Sequence, residues 1–194
     1  MPIQARLMRR ELLPFVLYLG LLVLATLLLD ALLHLFNIYW VGRYLGIPGT
    51  LLILASFGYS LRKRKLIGGG HPTQWLRLHE LLAWLGALLV LVHAGIHFNA
   101  ILAWLAVAAM LVNVASGLLG KFLLDRSRRR LEEARQRMRD QGWTADELEE
   151  RTYWDSLTFD AVRQWRVVHF PITLAFGGLA LAHILAVFLF WGWR

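Results

Sequence analysis

Long apolar segments separated by short polar or charged stretches are the dominant pattern of this chain. Each segment approaches the roughly 20 residues that an α-helix needs to cross the hydrocarbon core of a bilayer. The second is the shortest and is entered through Gly46 and Pro48. Because segments of this length satisfy their backbone groups in lipid only as helices, we predict an all-α integral membrane bundle. The predicted spans of this single membrane domain are residues 12–33, 44–61, 76–97, 101–124 and 165–191.

The distribution of charge sets the predicted orientation. Most of the 21 lysines and arginines lie in the N-terminal tail, near Arg62, or between Lys121 and Arg166. Cations at the ends of apolar segments are typical of the positive-inside rule and not of a nucleic-acid surface, so we expect no nucleic-acid partner. The N-terminus and loop 125–164 are therefore predicted on the cytoplasmic, inner side of a bacterial inner membrane. Spans three and five then run in the same direction.

The absence of cysteine limits the redox chemistry open to this chain. None of its 194 residues is a cysteine. This excludes disulfides, thiolate metal sites, cysteine-ligated iron–sulfur clusters and covalent c-type haem attachment within the chain. Any metal or cofactor must therefore be held by other side chains.

Histidines recur in two of the spans with the same spacing. His79 and His93 lie in the third span, and His169 and His183 in the fifth, each pair fourteen residues apart. Fourteen helical residues return to within roughly 40° of the starting direction and rise about 21 Å, so each pair lies on one face with its members near opposite membrane surfaces. In parallel spans, His79 is level with His169, and His93 is level with His183.

Histidines inside a bilayer are costly unless they have a partner, so they indicate function. Haem iron accepts a neutral imidazole on each face, which requires facing histidines at equal depth. The pattern therefore predicts two b-type haems: an inner one held by His79 and His169, and an outer one held by His93 and His183. The alternative is that the same histidines are hydrogen-bonded within a bundle without a cofactor.

Three further histidines enter the assignment. His97 shares a face with His79 and His93, but it would sit about 6 Å further along the axis than His93 and out of level with His183. We therefore favour His93 as the outer ligand and place His97 at the outer mouth. A zinc site at His93 and His97 has no obvious third ligand. His34 and His71 lie at span edges and are interpreted as interfacial residues.

Other residues near the histidines have two interpretations each. Gly86, Gly177 and Gly178 lie near the midpoints of the histidine pairs, where small residues admit either a macrocycle or a neighbouring helix. Three arginines beside the inner histidines either pair with haem propionates or are ordinary positive-inside residues. These candidates are Arg77, Arg163 and Arg166.

The inner loop has its own pattern. Residues 126–141 form a charged run in which Glu132 and Glu133 are spaced to meet Gln136 and Arg137 along a helix. Gly142 is predicted to end that helix, and Thr144 with Glu147 resembles a capping box. The loop is interpreted either as a solvated helical hairpin or as a docking surface for a redox partner or anionic lipid.

The stretch from His79 to Asn99 resembles the third span of the NADPH oxidase and ferric reductase superfamily. That pattern has histidine, thirteen residues, histidine, three residues and histidine, with Ala-Trp after the first and Phe-Asn near the end, as at Ala83-Trp84 and Phe98-Asn99. The resemblance implies that the third and fifth spans supply the ligands of two haems, with His79 and His169 at the inner one. The family usually adds a sixth span and a flavin and nicotinamide module, and its fifth-span spacing is often one residue shorter.

These observations lead to one expected function and two alternatives. We expect a dihaem b-type cytochrome subunit that carries electrons between a cytoplasmic flavoprotein or iron–sulfur protein and an outer cytochrome or acceptor. It would be the electron-transfer part of an oxidoreductase and not a complete enzyme. One alternative is a quinone-reactive cytochrome b, for which the candidate polar residues are Asp30, Asn99, Asn113 and Ser116. The other is a haem-free scaffold or transporter whose histidines relay protons.

Overall fold

The computed structural model describes residues 3–96, 101–124, 132–133, 136–144 and 153–190, with side chains described for 13–95, 101–122, 132–133, 136–144 and 167–190. Within these ranges the chain forms helices and turns and no strand. The helices are α1 (Ile3–Leu35), α2 (Tyr39–Tyr44), α3 (Gly46–Ser56), α4 (Gly58–Lys63), α5 (Pro72–Ile96), α6 (Ile101–Leu119), which runs on into a π-helical turn (Gly120–Leu124), and α7 (Tyr153–Phe190).

Five helical segments are long and apolar enough to cross a membrane, which confirms the predicted all-α fold and the number of spans. Large apolar side chains on these segments are widely exposed, as expected for surfaces that face lipid; Leu27 is 61% exposed and Leu189 is 75% exposed. The segments are Leu13–Leu35, Tyr39–Lys63, Pro72–Gly95, Ile101–Phe122 and Val167–Phe190.

Several helices extend beyond the apolar segments that predicted them. The first begins at Ile3 and the last at Tyr153, inside the predicted loop 125–164. Hydropathy marks the part of a helix that matches the bilayer, whereas Arg, Glu and Gln are good helix formers that prolong it into water. The apolar boundaries therefore locate the spans but not the helix ends.

The second span is a helix with two breaks. Leu45 separates α2 from α3, and Phe57 separates α3 from α4. At each break the peptide N–H bonds to the carbonyl three residues back, Leu45 to Gly42 at 3.2 Å and Phe57 to Leu54 at 3.0 Å. This is the tighter 3₁₀ pattern. Pro48 has no N–H, so the regular α-helical bond to Tyr44 cannot form beyond the first break.

The chain divides into two compact units. The first consists of Met1–Tyr18 and Ala115–Leu174, and the second of Leu19–Val114 and Ala175–Arg194. In the first unit, Lys121 Nζ lies 5.4 Å from the centre of the Tyr18 ring and 5.6 Å from that of Phe122. In the second, α5 packs along the broken span, and a buried cluster joins α1, α5, α6 and α7. Its members are Leu22, Ala87, Leu88, Met110 and Phe176.

The turn between α4 and α5 is held by side-chain donors. Arg62 Nε donates to the Gly69 carbonyl at 2.9 Å, and Trp75 Nε1 donates to the same oxygen at 3.2 Å. Gly69 and Gly70 have φ of 88° and 74°, in the left-handed region where glycine is favoured. The consecutive glycines thus form a turn between the second and third spans that side-chain hydrogen bonds stabilise.

The described part of the inner loop agrees with its predicted helix end. Residues 136–140 are helical, and Arg137 Nη2 lies 3.8 Å from Glu133 Oε2. Gly142 has a φ of 83°, which is the left-handed conformation that commonly follows a helix C-terminus. The predicted capping box includes Glu147, which lies outside the described residues.

Candidate functional site

The rings of His93 and His183 lie edge to face beside each other within the second unit. His93 lies on α5 and His183 on α7, and the centres of the two rings are 6.5 Å apart with an angle of 61° between the ring planes. Both side chains are half-buried. The two histidines that the sequence places level near the outer surface are therefore neighbours in the structure.

The separation of the two rings matches the space that one bridging metal ion needs. A bond from an imidazole nitrogen to a first-row metal is about 2 Å, and the nitrogen lies about 1.1 Å from the centre of a five-membered ring with bonds of about 1.35 Å. Two imidazoles on opposite sides of one ion thus have centres roughly 6.3 Å apart. The observed 6.5 Å between ring centres is close to this value.

The second span orients the His93 ring. The Nδ1–H of His93 donates to the main-chain carbonyl of Gly42 at 3.2 Å. Because a carbonyl only accepts, the neutral ring carries its proton on Nδ1 and keeps its lone pair on Nε2, the tautomer in which Nε2 can ligate a metal. Histidine ligands commonly donate their other ring N–H in this way.

Gly46 makes room for the same ring. A Cβ built on Gly46 would lie 2.9 Å from His93 Cδ2 and 3.0 Å from His93 Nε2. Such distances are too short for carbon beside a ring, so any residue with a side chain at position 46 would displace the imidazole. Glycine is therefore required here for close approach and not for its backbone angles.

His79 is oriented by a second carbonyl of the same span. Its Nδ1–H donates to the carbonyl of Ser56 at 2.9 Å, which again leaves the lone pair on Nε2. The ring of Tyr59, on α4, lies 5.7 Å from the His79 ring, centre to centre. Both histidines of α5 therefore have the tautomer that a haem ligand requires.

The contacts between the broken second span and α5 follow one antiparallel register. His79 meets Ser56, Gly86 meets Gly49, and His93 meets Gly42, at intervals of seven residues along each chain segment. For Gly86 the sequence left two interpretations, close approach of a macrocycle or of a neighbouring helix. In the structure Gly86 packs against α3.

The glycines of α7 differ from Gly86. A Cβ built on Gly177 or Gly178 would have no heavy atom within 4 Å. Close packing within the described structure therefore does not explain these two glycines.

His169 is held within the first unit. Its Nδ1 lies 2.8 Å from the hydroxyl oxygen of Ser116, which is buried, and the Thr173 hydroxyl donates to the His169 carbonyl at 2.8 Å. A hydroxyl both donates and accepts, so this contact does not fix the tautomer alone. His79 belongs to the second unit, and the level pairing of His79 with His169 stays a prediction from the sequence.

The other candidate residues are placed as follows. His97 lies outside the described residues, as do the side chains of Arg163 and Arg166, while Arg77 is exposed on α5. The His34 side chain is 55% exposed and its Nδ1 lies 3.6 Å from Asp30 Oδ1, which agrees with an interfacial histidine.

His71 lies at the start of α5. Its carbonyl accepts from the peptide N–H groups of Gln74 at 3.0 Å and Trp75 at 3.3 Å. The residue therefore helps to begin the third span, and its side chain is exposed.

The polar residues suggested for a quinone site are distributed over both units of the chain. Ser116 belongs to the first unit, whereas Asp30 and Asn113 belong to the second, and Asn99 lies outside the described residues. Asp30 Oδ1 is buried and accepts no hydrogen bond within the described part of the chain. A Cβ built on Gly95 would lie 3.6 Å from this oxygen.

Three participants in the site were not predicted from the sequence: the carbonyls of Gly42 and Ser56, and the bare Cα of Gly46. Main-chain acceptors have no residue-type signature, so no motif could have indicated them. The available signal was the run of glycines at positions 42, 46 and 49 with Pro48, which indicates an irregular helix and a close neighbour.

Comparison of the chain with family models, with curated proteins and with solved structures gave no match. Among the described residues, no group of three or more histidine, aspartate or glutamate side chains could hold a metal ion. A haem requires only axial ligands from the protein, because the macrocycle supplies the other four nitrogens. The neighbouring rings of His93 and His183 are therefore the candidate site within the described residues.

Proposed function

We propose that this chain is a dihaem b-type cytochrome subunit that carries electrons across a bacterial inner membrane between separate redox proteins. The observation that carries the proposal is the contact between His93 and His183, whose ring centres are 6.5 Å apart on two membrane-length helices. This separation suits two axial ligands on one iron, and these two residues would hold the outer haem.

The inner haem is proposed from the sequence spacing, with support from hydrogen bonds. His79 and His169 stand fourteen residues before His93 and His183, on helices that the sequence orients in the same direction. Each has its Nδ1 bonded to a partner on another helix, at 2.9 Å for His79 and 2.8 Å for His169. Ligands whose rings are held in this way keep their orientation before and after metal binding.

In such a protein the residues of this chain bind the haems, orient the ligands and exclude water. When bound, the haems supply reversible one-electron chemistry, which no side chain of this cysteine-free sequence provides. The histidines bind, the carbonyls of Gly42 and Ser56 orient them, and the apolar side chains of the spans exclude water and keep the local dielectric low. These features set the reduction potential and hold the two sites at fixed positions.

The proposed partners are separate redox proteins on the two sides of the membrane. Residues 1–194 contain no Gly-x-Gly-x-x-Gly fingerprint and no cysteine. We propose a flavoprotein or an iron–sulfur protein on the cytoplasmic side and a cytochrome or small acceptor on the outer side. The similarity of residues 79–99 to the NADPH oxidase and ferric reductase superfamily supports the same arrangement.

A pyridine haemochrome measurement on the purified protein tests the proposal. We expect two haem b per polypeptide, both low-spin, and one haem in His93→Ala and in His183→Ala. Leu81→Ala is a suitable control, because this residue lies on α5 between His79 and His93 and its side chain is 55% exposed. Purified wild-type protein with no haem, after expression with ample haem supply, would favour the proton-relay alternative, and one haem per chain would refute the dihaem assignment.

A further inference from the structure

The two breaks of the second span lie beside the two histidines of α5. Gly42 is three residues before the break at Leu45 and accepts from His93, and Ser56 directly precedes the break at Phe57 and accepts from His79. The Gly42 oxygen accepts two hydrogen bonds, from the Leu45 N–H and from His93 Nδ1–H, each at 3.2 Å. A carbonyl has two lone pairs and can serve both donors.

A hydrogen bond at Nδ1 changes what the imidazole does at Nε2. As Nδ1–H donates more strongly, the ring gains imidazolate character and becomes a more basic ligand. A more basic ligand stabilises the more highly charged, oxidised iron, so the reduction potential falls. In a span with few competing donors and no bulk water, such a bond is electrostatically stronger than it would be in solution.

The sterics at Gly46 act on the same ring. The space for a Cβ on Gly46 is occupied by His93 Cδ2 and Nε2, at 2.9 and 3.0 Å. The broken second span therefore supplies both the Gly42 carbonyl, on α2, and the surface at Gly46, on α3, against which the imidazole packs. A side chain at position 46 would move the ring away from the Gly42 carbonyl and turn its plane relative to that of His183.

We propose that the broken second span is part of both haem sites: the carbonyls of Gly42 and Ser56 position the α5 histidines and lower both reduction potentials, and the bare Cα of Gly46 admits the His93 ring. The inference rests on the proposed function. In this proposal Gly46 and the two carbonyl groups act indirectly, by setting the positions of the His93 and His79 rings.

The first test compares Gly46→Ala with Gly49→Ala. Both glycines lie on α3, and a Cβ on either would meet an atom at 2.9 Å, but at Gly49 the neighbours are Val90 and the α5 backbone and not a histidine ring. In redox titration and low-spin EPR, Gly46→Ala is expected to raise the midpoint of one haem, the one lost in His183→Ala, and to change its signal. Gly49→Ala is expected to affect both haems alike or neither.

The second test changes the Ser56 carbonyl without changing a side chain. The α-hydroxy analogue of phenylalanine at position 57 converts the Ser56–Phe57 amide into an ester, whose carbonyl is a weaker acceptor. The control is the α-hydroxy analogue of leucine at position 61. Each ester removes one peptide N–H donor: the Phe57 N–H, which donates to the Leu54 carbonyl at 3.0 Å, or the Leu61 N–H, which donates to the Phe57 carbonyl at 3.1 Å. We expect a positive midpoint shift of the haem lost in His79→Ala only with the ester at position 57.

The outcomes separate this inference from the proposed function. Wild-type protein without haem would refute the function itself. If the wild type holds two haems, equal effects of Gly46→Ala and Gly49→Ala on both midpoints, or unchanged midpoints in Gly46→Ala, would overturn the role of Gly46. If Gly46→Ala does not accumulate, the ester pair decides: equal midpoints at positions 57 and 61 would overturn the role of the carbonyls.

Discussion

Gly49 and Gly86 lie against each other at the crossing of α3 and α5. A Cβ built on Gly86 would be 2.8 Å from the Gly49 carbonyl oxygen, and one built on Gly49 would be 3.0 Å from the Gly86 carbonyl oxygen. The contacts of His79 and His93 with the second span lie seven residues away on either side. One point of close backbone approach therefore sets the register of both histidine contacts.

Replacing Gly86 by alanine is expected to lower the stability of the protein. The added methyl group would lie 2.7 Å from Ile53 Cγ1 and 2.8 Å from the Gly49 carbonyl, so α3 and α5 must separate. Overpacking of this kind costs about 1–3 kcal/mol. Thermal unfolding in detergent measures it, with Gly20→Ala as the control because a Cβ there has no atom within 4 Å. Equal midpoints for the two variants would contradict the close crossing.

Ser116 and Ser56 are expected to respond differently to the same substitution. Ser116 approaches His169 with its side-chain hydroxyl, whereas Ser56 accepts from His79 with its main-chain carbonyl. Ser116→Ala removes a partner of a proposed ligand, and such changes typically lower metal affinity about 10- to 100-fold. Ser56→Ala leaves its carbonyl in place. Haem retention during detergent washing compares the two, and equal losses would show that the hydroxyl of Ser116 does not position His169.

Alanine variants of the four histidines are expected to fall into two pairs. His79→Ala and His169→Ala should lose the same haem, because the sequence places these residues level on the inner side, while His93→Ala and His183→Ala should lose the other. The haem that remains in each variant is identified by its redox midpoint and its EPR signal. Loss of the same haem in His79→Ala and His183→Ala would refute the level pairing.

His93, and not His97, is expected to ligate the outer haem. The His93 ring lies 6.5 Å from that of His183, and its Nδ1 is held by Gly42. His93→Ala should remove one of two titrating haems, whereas His97→Ala should at most shift a midpoint. A one-haem His97→Ala protein beside a two-haem His93→Ala protein would reverse the assignment.

The purified chain is expected not to accept electrons directly from NADPH. Its sequence contains no dinucleotide fingerprint and no cysteine for an iron–sulfur cluster. Mixing it with NADPH and FAD while recording the haem bands tests this expectation. Rapid reduction without added protein would refute it. With an acidic flavoprotein added, the rate should fall as salt rises, because the inner loop is rich in arginine.

The main features of the fold were predictable because they depend on length and hydropathy. The number of spans follows from the apolar segments, and the contact between His93 and His183 follows from equal histidine spacing on two spans predicted to run in the same direction. These inferences need only the helical period and the thickness of a bilayer.

The direction in which each histidine face points was not predictable. α5 is apolar nearly all round, so its sequence carries little contrast between a face that meets lipid and one that meets another helix. The contacts of His79 and His93 with the second span depend on the main-chain carbonyls of Ser56 and Gly42, which lie near its two breaks. Such contacts became evident only when the helices were placed in space.

The register between α3 and α5 joins segments that are neighbours along the chain and are connected by the turn that Arg62 and Trp75 hold. Contacts of low sequence separation form early, and chains fold from the N-terminus as they are synthesised. The α3–α5 hairpin can therefore assemble during membrane insertion, before His183 has left the ribosome. The rings of His79 and His93 would then already be oriented before the proposed haem binds, so that its binding would require little further ordering of the polypeptide.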